Sequence, residues 1–139
     1  MRFPVFSFAS GPTNSMRGAA FLSGVDDAAV CDVGGTTTDI GYLRKGFPRE
    51  ANNVITIGGV RTLFRMPDVL SVALGGGTRI YATQQGPRIG PESVGHRLEG
   101  ESRVFGGNTL TCTDIAVAAG LAEIGDPERV DVSLSLIHI

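Results

Sequence analysis

Glycine placement constrains this chain more than any other feature. Glycines cluster at 34–35, 58–59, 75–77 and 106–107, each group beside an apolar stretch. Twenty of the 139 residues are glycine, about twice the average usage of roughly 7%. A flexible linker would spread Gly and Ser over one long run. Short glycine groups between apolar stretches predict tight turns joining short strands, because glycine accepts positive φ and lets backbone approach something closely.

The length suits one domain or part of one, and 42% hydrophobic residues suffice for a core. No stretch reaches the about 18 unbroken apolar residues of a membrane span. The formal charge is -2, the pI is near 5.6 and the basic residues are scattered, which argues against nucleic acid as a partner. Cys31 and Cys112 lie far apart and outside any CxxC pattern, so reduced thiols and a cytoplasmic location are expected. The opening MRFPVFSFAS is too short for a secretory leader and is interrupted by Pro4.

A first helix is predicted over 12–22, with Ser10 as N-cap, Pro12 in the first turn, an apolar face of Met16, Ala19, Ala20 and Phe21, and Gly24 as its stop. AAVCDV (28–33) does not alternate and reads as a strand buried on both faces. TDIGYLR (38–44) returns as a second strand, KGFP (45–48) is a turn, and NVITI (53–57) is a further strand. DVLSVAL (68–74) and TRIYAT (78–83) flank the triple glycine as a hairpin. Residues 84–108, rich in Gly and Pro, read as mostly loop. A second helix is predicted over 112–123, started by Thr111 or Thr113, packing through Ile115, Ala118, Ala119 and Ala122, and ended by Gly125. No repeat or linker divides the chain, so a single unit over 1–130 is expected, with 131–139 (DVSLSLIHI) as a tail that is either an edge strand or non-native.

The stretch CDVGGTTTDIG (31–41) carries the chemistry. A strand ending in Asp32 fixes a carboxylate at a sheet edge. Glycines at 34 and 35 let successive N–H groups point into one concavity, an anion nest, and threonine hydroxyls add donors. A carboxylate beside a polyphosphate is repelled unless a divalent cation lies between them, so Asp32 implies Mg²⁺ held largely through water. The motif is neither a GxxxxGK[ST] loop, since no lysine follows, nor a GxGxxG dinucleotide fingerprint. A plain Gly-Gly hairpin explains the glycines and threonines but not Asp32.

DVGGTTTDIG resembles the second phosphate-binding hairpin of the actin, sugar-kinase and heat-shock-chaperone ATPases. Together with ASGPTNSMRGAAFLSG, SVALGGGTRI, GPRIGPESVG and FGGNTLTCTDIAVAAG, it is similar to the A-subunit type of the hydantoinase/oxoprolinase family over roughly residues 9–130. The resemblance implies an α/β fold, an actin-like ATPase (ribonuclease-H-like) lobe with a mixed sheet and flanking helices, incomplete in itself. It implies a partial hydantoinase A-like ATPase domain over 1–130. It also implies ATP and Mg²⁺ as cofactors, with ATP phosphorylating the carbonyl oxygen of a cyclic amide or ketone to activate it for hydrolysis or carboxylation. By this resemblance Asp32 organises Mg²⁺ and the attacking group, and Gly34, Gly35, Thr36 and Thr37 cradle phosphate. Asp39 is the closing acid, metal-linked or structural, and Gly75, Gly76 and Gly77 approach the nucleotide. Family proteins carry another glycine-threonine hairpin in a separate lobe, and residues 1–9 contain none, so a missing lobe or a B-type partner subunit is expected.

Other positions carry weaker signals. SGP (10–12) at a helix start either binds an anion or is ordinary capping. His96 reads as a surface residue, His138 falls in the tail, and Asp114 reads as a helix cap. Cys31 points away from Asp32 and packs. Arg61, Arg65 and Arg79 are candidates for a phosphate contact, and the sequence does not choose among them. Two rival readings are a nucleotide-binding regulatory or chaperone-like module without turnover, and a non-functional fragment.

Overall fold

The computed structural model describes residues 10–51, 55–57, 59–62 and 66–131. The opening segment 1–9, the first residues of the expected NVITI strand, Arg65 and the tail from 132 with His138 lie outside the described residues. Contacts gather into two compact units, Met1–Asp32 with Asp39–Ser71, and Val33–Thr38 with Val72–Ile139. No shift in composition announces either crossing.

In the first unit, helix α1 (Ser10–Ser23) includes Ser10 within its first turn. Gly24, at φ +68, ends it and donates its N–H to the Ala20 carbonyl at 3.0 Å. Met16 and Ala20, one turn apart, are buried. Phe21 is 85% exposed and does not belong to the packing face, since it lies about 100° further round the helix. Strand β1 (Ala28–Val33) alternates half-buried and exposed positions, which corrects the expectation of burial on both faces. Val30 packs against the core, whereas Cys31 is exposed rather than packed. The strand ends the sheet order, and an edge strand has fewer neighbours to cover it.

Strand β2 (Thr38–Arg44) brings Leu43 into the cluster with Met16 and Ala20, with Val30 and Val69 around it. Its Gly41 is there to admit the helix: a Cβ would stand 2.7 Å from Met16 Cε. The turn after β2 is two residues rather than four. Lys45 at φ 52 and Gly46 at φ 72 form it, the primed geometry that matches strand twist. Phe47–Pro48 then pair with Arg44 and Leu43 as β3. Arg17 lies 4.2 Å from the centre of the Phe47 ring and donates to the Gly46 carbonyl, which ties α1 to the hairpin. A separate antiparallel ribbon joins β4 (Ile55–Ile57) to β5 (Val60–Thr62).

Strand β6 (Val69–Val72) pairs with β2. The hairpin expected between 68–74 and 78–83 therefore does not form. In the second unit β7 (Thr78–Thr83) pairs antiparallel with β8 (Gly86–Ser93), which occupies part of the stretch expected to be loop. Pro87 and Pro91 disguised it in the sequence. A two-stranded ribbon has a free outer edge, where a missing N–H removes no ladder bond. Short helical pieces follow: a 3₁₀ turn at Gly95–Arg97, α2 (Leu98–Glu101) and a 3₁₀ turn at Arg103–Phe105. Helix α3 (Cys112–Ala118) is shorter than expected. Gly120, at φ +69, stops it, while Gly125 instead sits where a Cβ would come 2.7 Å from the Val104 carbonyl oxygen. Val104, Val117 and Val130 are the buried core of this unit, with Phe105, Ala118 and Ala122 packed on it; Ala119 is exposed.

The start of α3 is fixed by a buried charge. Thr111 and Asp114 form a reciprocal capping box, as the reading of Asp114 as a cap expected. The carboxylate of Asp114 is fully buried. It accepts from Ser102 Oγ at 2.8 Å, the Val104 N–H at 2.7 Å, and the N–H and Oγ1 of Thr111 at 2.7 and 2.9 Å. A carboxylate with four donors repays much of its desolvation, and removing it strands those donors. Asp114→Ala should therefore cost on the order of 3 kcal/mol, read as a lower urea midpoint for the second unit, and Asp114→Asn should cost less.

Candidate functional site: a glycine-backed amide loop

Residues 33–38 and 72–139 share one unit, so the loop between β1 and β2 is built with the triple glycine. A connection this short permits only an antiparallel return. The Gly34 N–H closes the turn on the Thr37 carbonyl at 2.9 Å. Thr38, 8% exposed, anchors its end by donating Oγ1 to the Leu74 carbonyl at 2.6 Å.

The triple glycine is a backing layer for this loop and not a hairpin turn. Gly76 donates its N–H to the Gly34 carbonyl at 3.0 Å, and Gly77 donates to the Gly35 carbonyl at 2.7 Å. Ser93 Oγ also reaches the Gly35 carbonyl at 3.4 Å. A Cβ on Gly75 would lie 2.6 Å from Gly34 O, 2.7 Å from Thr36 N and 2.8 Å from Gly35 C, and one on Gly77 would lie 2.9 Å from Gly35 O. These glycines are required because two stretches of backbone touch.

The consequence follows from peptide geometry. In a trans peptide the N–H of the next residue points opposite to the C=O. With the Gly34 and Gly35 carbonyls held by the triple glycine, the N–H groups of Gly35 and Thr36 face the other way. Among the described residues none accepts a hydrogen bond from the amides of Gly35, Thr36 or Thr37, and the loop from Val33 to Thr37 is exposed. Adjacent amides with no protein acceptor form the partial positive charge that an anion fits.

In the first unit, Asp32 is half-buried, on the face of β1 opposite Cys31, and no described residue donates to its carboxylate. Asp39 accepts from the Ser71 hydroxyl, a partner with no local signal because it lies 32 residues away. Among the described residues no three His, Cys, Asp or Glu side chains come together as a metal cage. The remaining candidates separate. Arg79 is committed to Glu101 at 2.6 Å, as is Arg97, so Arg79 is engaged structurally. Arg61 and His96 are exposed. Burial pushes the Cys112 thiol up, which suppresses its thiolate.

The family model for Hydantoinase/oxoprolinase matches residues 1–124. The chain belongs to the hydantoinase/oxoprolinase family. A related but uncharacterized protein of Schizosaccharomyces pombe is 34% identical, over 84% of this chain and 9% of its own length. A solved nucleotide-free structure of acetone carboxylase, from work on ATP-dependent acetone carboxylation, superposes with TM-score 0.59 at 21% identity, covering 83% of this chain and 18% of that one. The chain thus spans a small part of the proteins it matches. The likeness establishes the fold alone: a mixed α/β arrangement like that of the matched segment of acetone carboxylase. Among the described residues no helix is long and apolar enough to cross a membrane.

The glycine contacts set up a contrast in this hydantoinase-family segment. Gly75→Ala collides with backbone and should cost about 1–3 kcal/mol in urea unfolding, with shifted amide resonances across Gly34–Thr37. Gly41→Ala meets the flexible end of Met16 closely and the Asp68 carbonyl oxygen only at ordinary contact distance, 3.4 Å. It should cost less than about 1 kcal/mol, leaving those resonances in place.

Proposed function

We propose that this chain supplies a phosphate-binding part of an ATP-dependent enzyme of the hydantoinase/oxoprolinase type. The observation that carries the reading is the set of unpaired amides at Gly35, Thr36 and Thr37, of which those of Gly35 and Thr36 are turned outward by the Gly76 and Gly77 hydrogen bonds. In this proposal those amides and the threonine hydroxyls hold the phosphates of ATP. Gly34 closes the turn that presents them through its N–H bond to the Thr37 carbonyl, and Gly75, Gly76 and Gly77 back the loop. Asp32, two residues before Gly34 in sequence, holds Mg²⁺. Its donor set fits that ion: an uncommitted carboxylate, with no protein cage, suits a cation that keeps several waters and is shared with phosphate. When bound, Mg²⁺ neutralises charge on the transferred phosphoryl group. Asp39, held by Ser71, closes the loop's far strand and orients it.

The reaction proposed for the whole protein is attack of a carbonyl oxygen on the terminal phosphorus of ATP. The new C–O–P linkage forms as the bond to ADP breaks. With a cyclic amide, water then adds to the activated carbon and phosphate leaves as the ring opens. With a ketone, loss of an α-proton gives an enol phosphate whose phosphoryl group passes to bicarbonate, so that the freed enolate carbon attacks that carboxyl carbon as phosphate leaves. The substrate class is a small cyclic amide or ketone, the setting is cytoplasmic, and a further lobe or B-type subunit completes the site. Catalysis by such a site is mostly positioning and charge neutralisation, which is what a rigid amide loop provides.

Calorimetric titration of Mg·ATP into the chain is the test. Uptake is expected, weakened by at least about tenfold in Asp32→Asn and by chelation of Mg²⁺. Absence of any uptake by the wild type, at concentrations where the chain is folded, contradicts the proposal.

A further inference from the structure

The triple glycine must itself be held if it is to aim the loop. The peptide units on either side of Gly76 face both ways at once. Its N–H reaches the Gly34 carbonyl, while its carbonyl accepts two bonds from one residue of α3, the Thr113 N–H at 2.8 Å and Thr113 Oγ1 at 2.9 Å. Thr113 is 8% exposed, and a Cβ on Gly76 would come 2.9 Å from its hydroxyl. Gly77 is steadied separately, its carbonyl accepting from the Val94 N–H at 2.9 Å. Gly75 is closed upon Thr78, which takes its N–H on Oγ1 at 2.7 Å. Thr113 is thus the point where the helix, locked by the Asp114 carboxylate, grips the glycine layer.

We propose, resting on the reading of 34–37 as a phosphate loop, that Thr113 is a positioning residue for that loop. It acts through Gly76. Its hydroxyl fixes the Gly76 carbonyl, which shares a peptide unit with the Gly77 N–H. That N–H holds the Gly35 carbonyl, and the Gly35 carbonyl sets the direction of the Thr36 N–H toward phosphate. Chains of hydrogen bonds polarise one another, so a doubly bonded Gly76 carbonyl also strengthens the bonds next to it. The proposal separates Thr113 from its neighbour. Asp114 holds the helix start, and Thr113 transmits that fixed position to the loop.

The test compares Thr113→Val, similar in shape without the hydroxyl, with Thr113→Ser, which keeps it. Mg·ATP affinity and amide hydrogen exchange are both read. Thr113→Val is expected to weaken Mg·ATP by about fivefold, the equilibrium equivalent of one neutral hydrogen bond. Exchange should speed at Gly76 and Gly77 and stay unchanged at Val104 and Val117, and Thr113→Ser should restore both. A wild-type chain that takes up no Mg·ATP overturns the phosphate reading and this role with it. A wild type that binds, with Thr113→Val binding equally, overturns the positioning role alone. Faster exchange at Val104 and Val117 as well overturns it too, because Thr113 then serves only the stability of the unit.

Discussion

Two backbone hydrogen bonds organise what matters in this chain: Gly76 N–H to the Gly34 carbonyl and Gly77 N–H to the Gly35 carbonyl. Each uses up a carbonyl of the loop and thereby aims the following amide outward. They require a separation that no side chain tolerates, so glycine is needed on the side that approaches. The loop is consequently preorganised by main chain, whose geometry costs no rotamer ordering when an anion arrives. Threonine hydroxyls can then adjust around a ligand without carrying the framework.

Behind this layer stands a buried carboxylate. Asp114 collects donors from Ser102, Val104 and Thr111, which ties the turn at 102–105 to the start of α3. A fully satisfied buried charge has few alternative arrangements, because moving any donor exposes its desolvation cost. Val104 belongs both to this donor set and to the valine core with Val117 and Val130. Apolar burial therefore supplies adhesion, and the carboxylate supplies register.

How much of this was legible in the sequence depends on the range of the interaction. Strands 28–33 and 38–44, the first helix and the Thr111–Asp114 cap were readable, since periodicity and capping are local. The glycine-threonine stretch was readable as a tight connection between two strands for the same reason. The pairing of Val69–Val72 with β2 was not, because strand order is set by packing and not by adjacency to a glycine turn. Cys31 was misplaced as a packing residue because a six-residue apolar strand looks alike whether central or at an edge. Residues 86–93 were hidden by prolines that an outer edge tolerates. The partners of Ser71, Ser93 and Thr113 left no trace, since each lies more than 30 residues away; Thr113 was singled out only as a possible helix start. The triple glycine was rightly singled out, with the wrong local structure. It backs the loop.

The central claim is that the amides of Gly35, Thr36 and Thr37 face a phosphate. Backbone amide proton shifts of the isotopically labelled chain, followed as Mg·ADP is added, test it most directly. The account expects these three amides to move downfield together, as N–H groups do on donating to a phosphate oxygen, while Gly76 and Gly77 stay in place. Saturable shifts confined to other regions, with 35–37 unmoved, would contradict it.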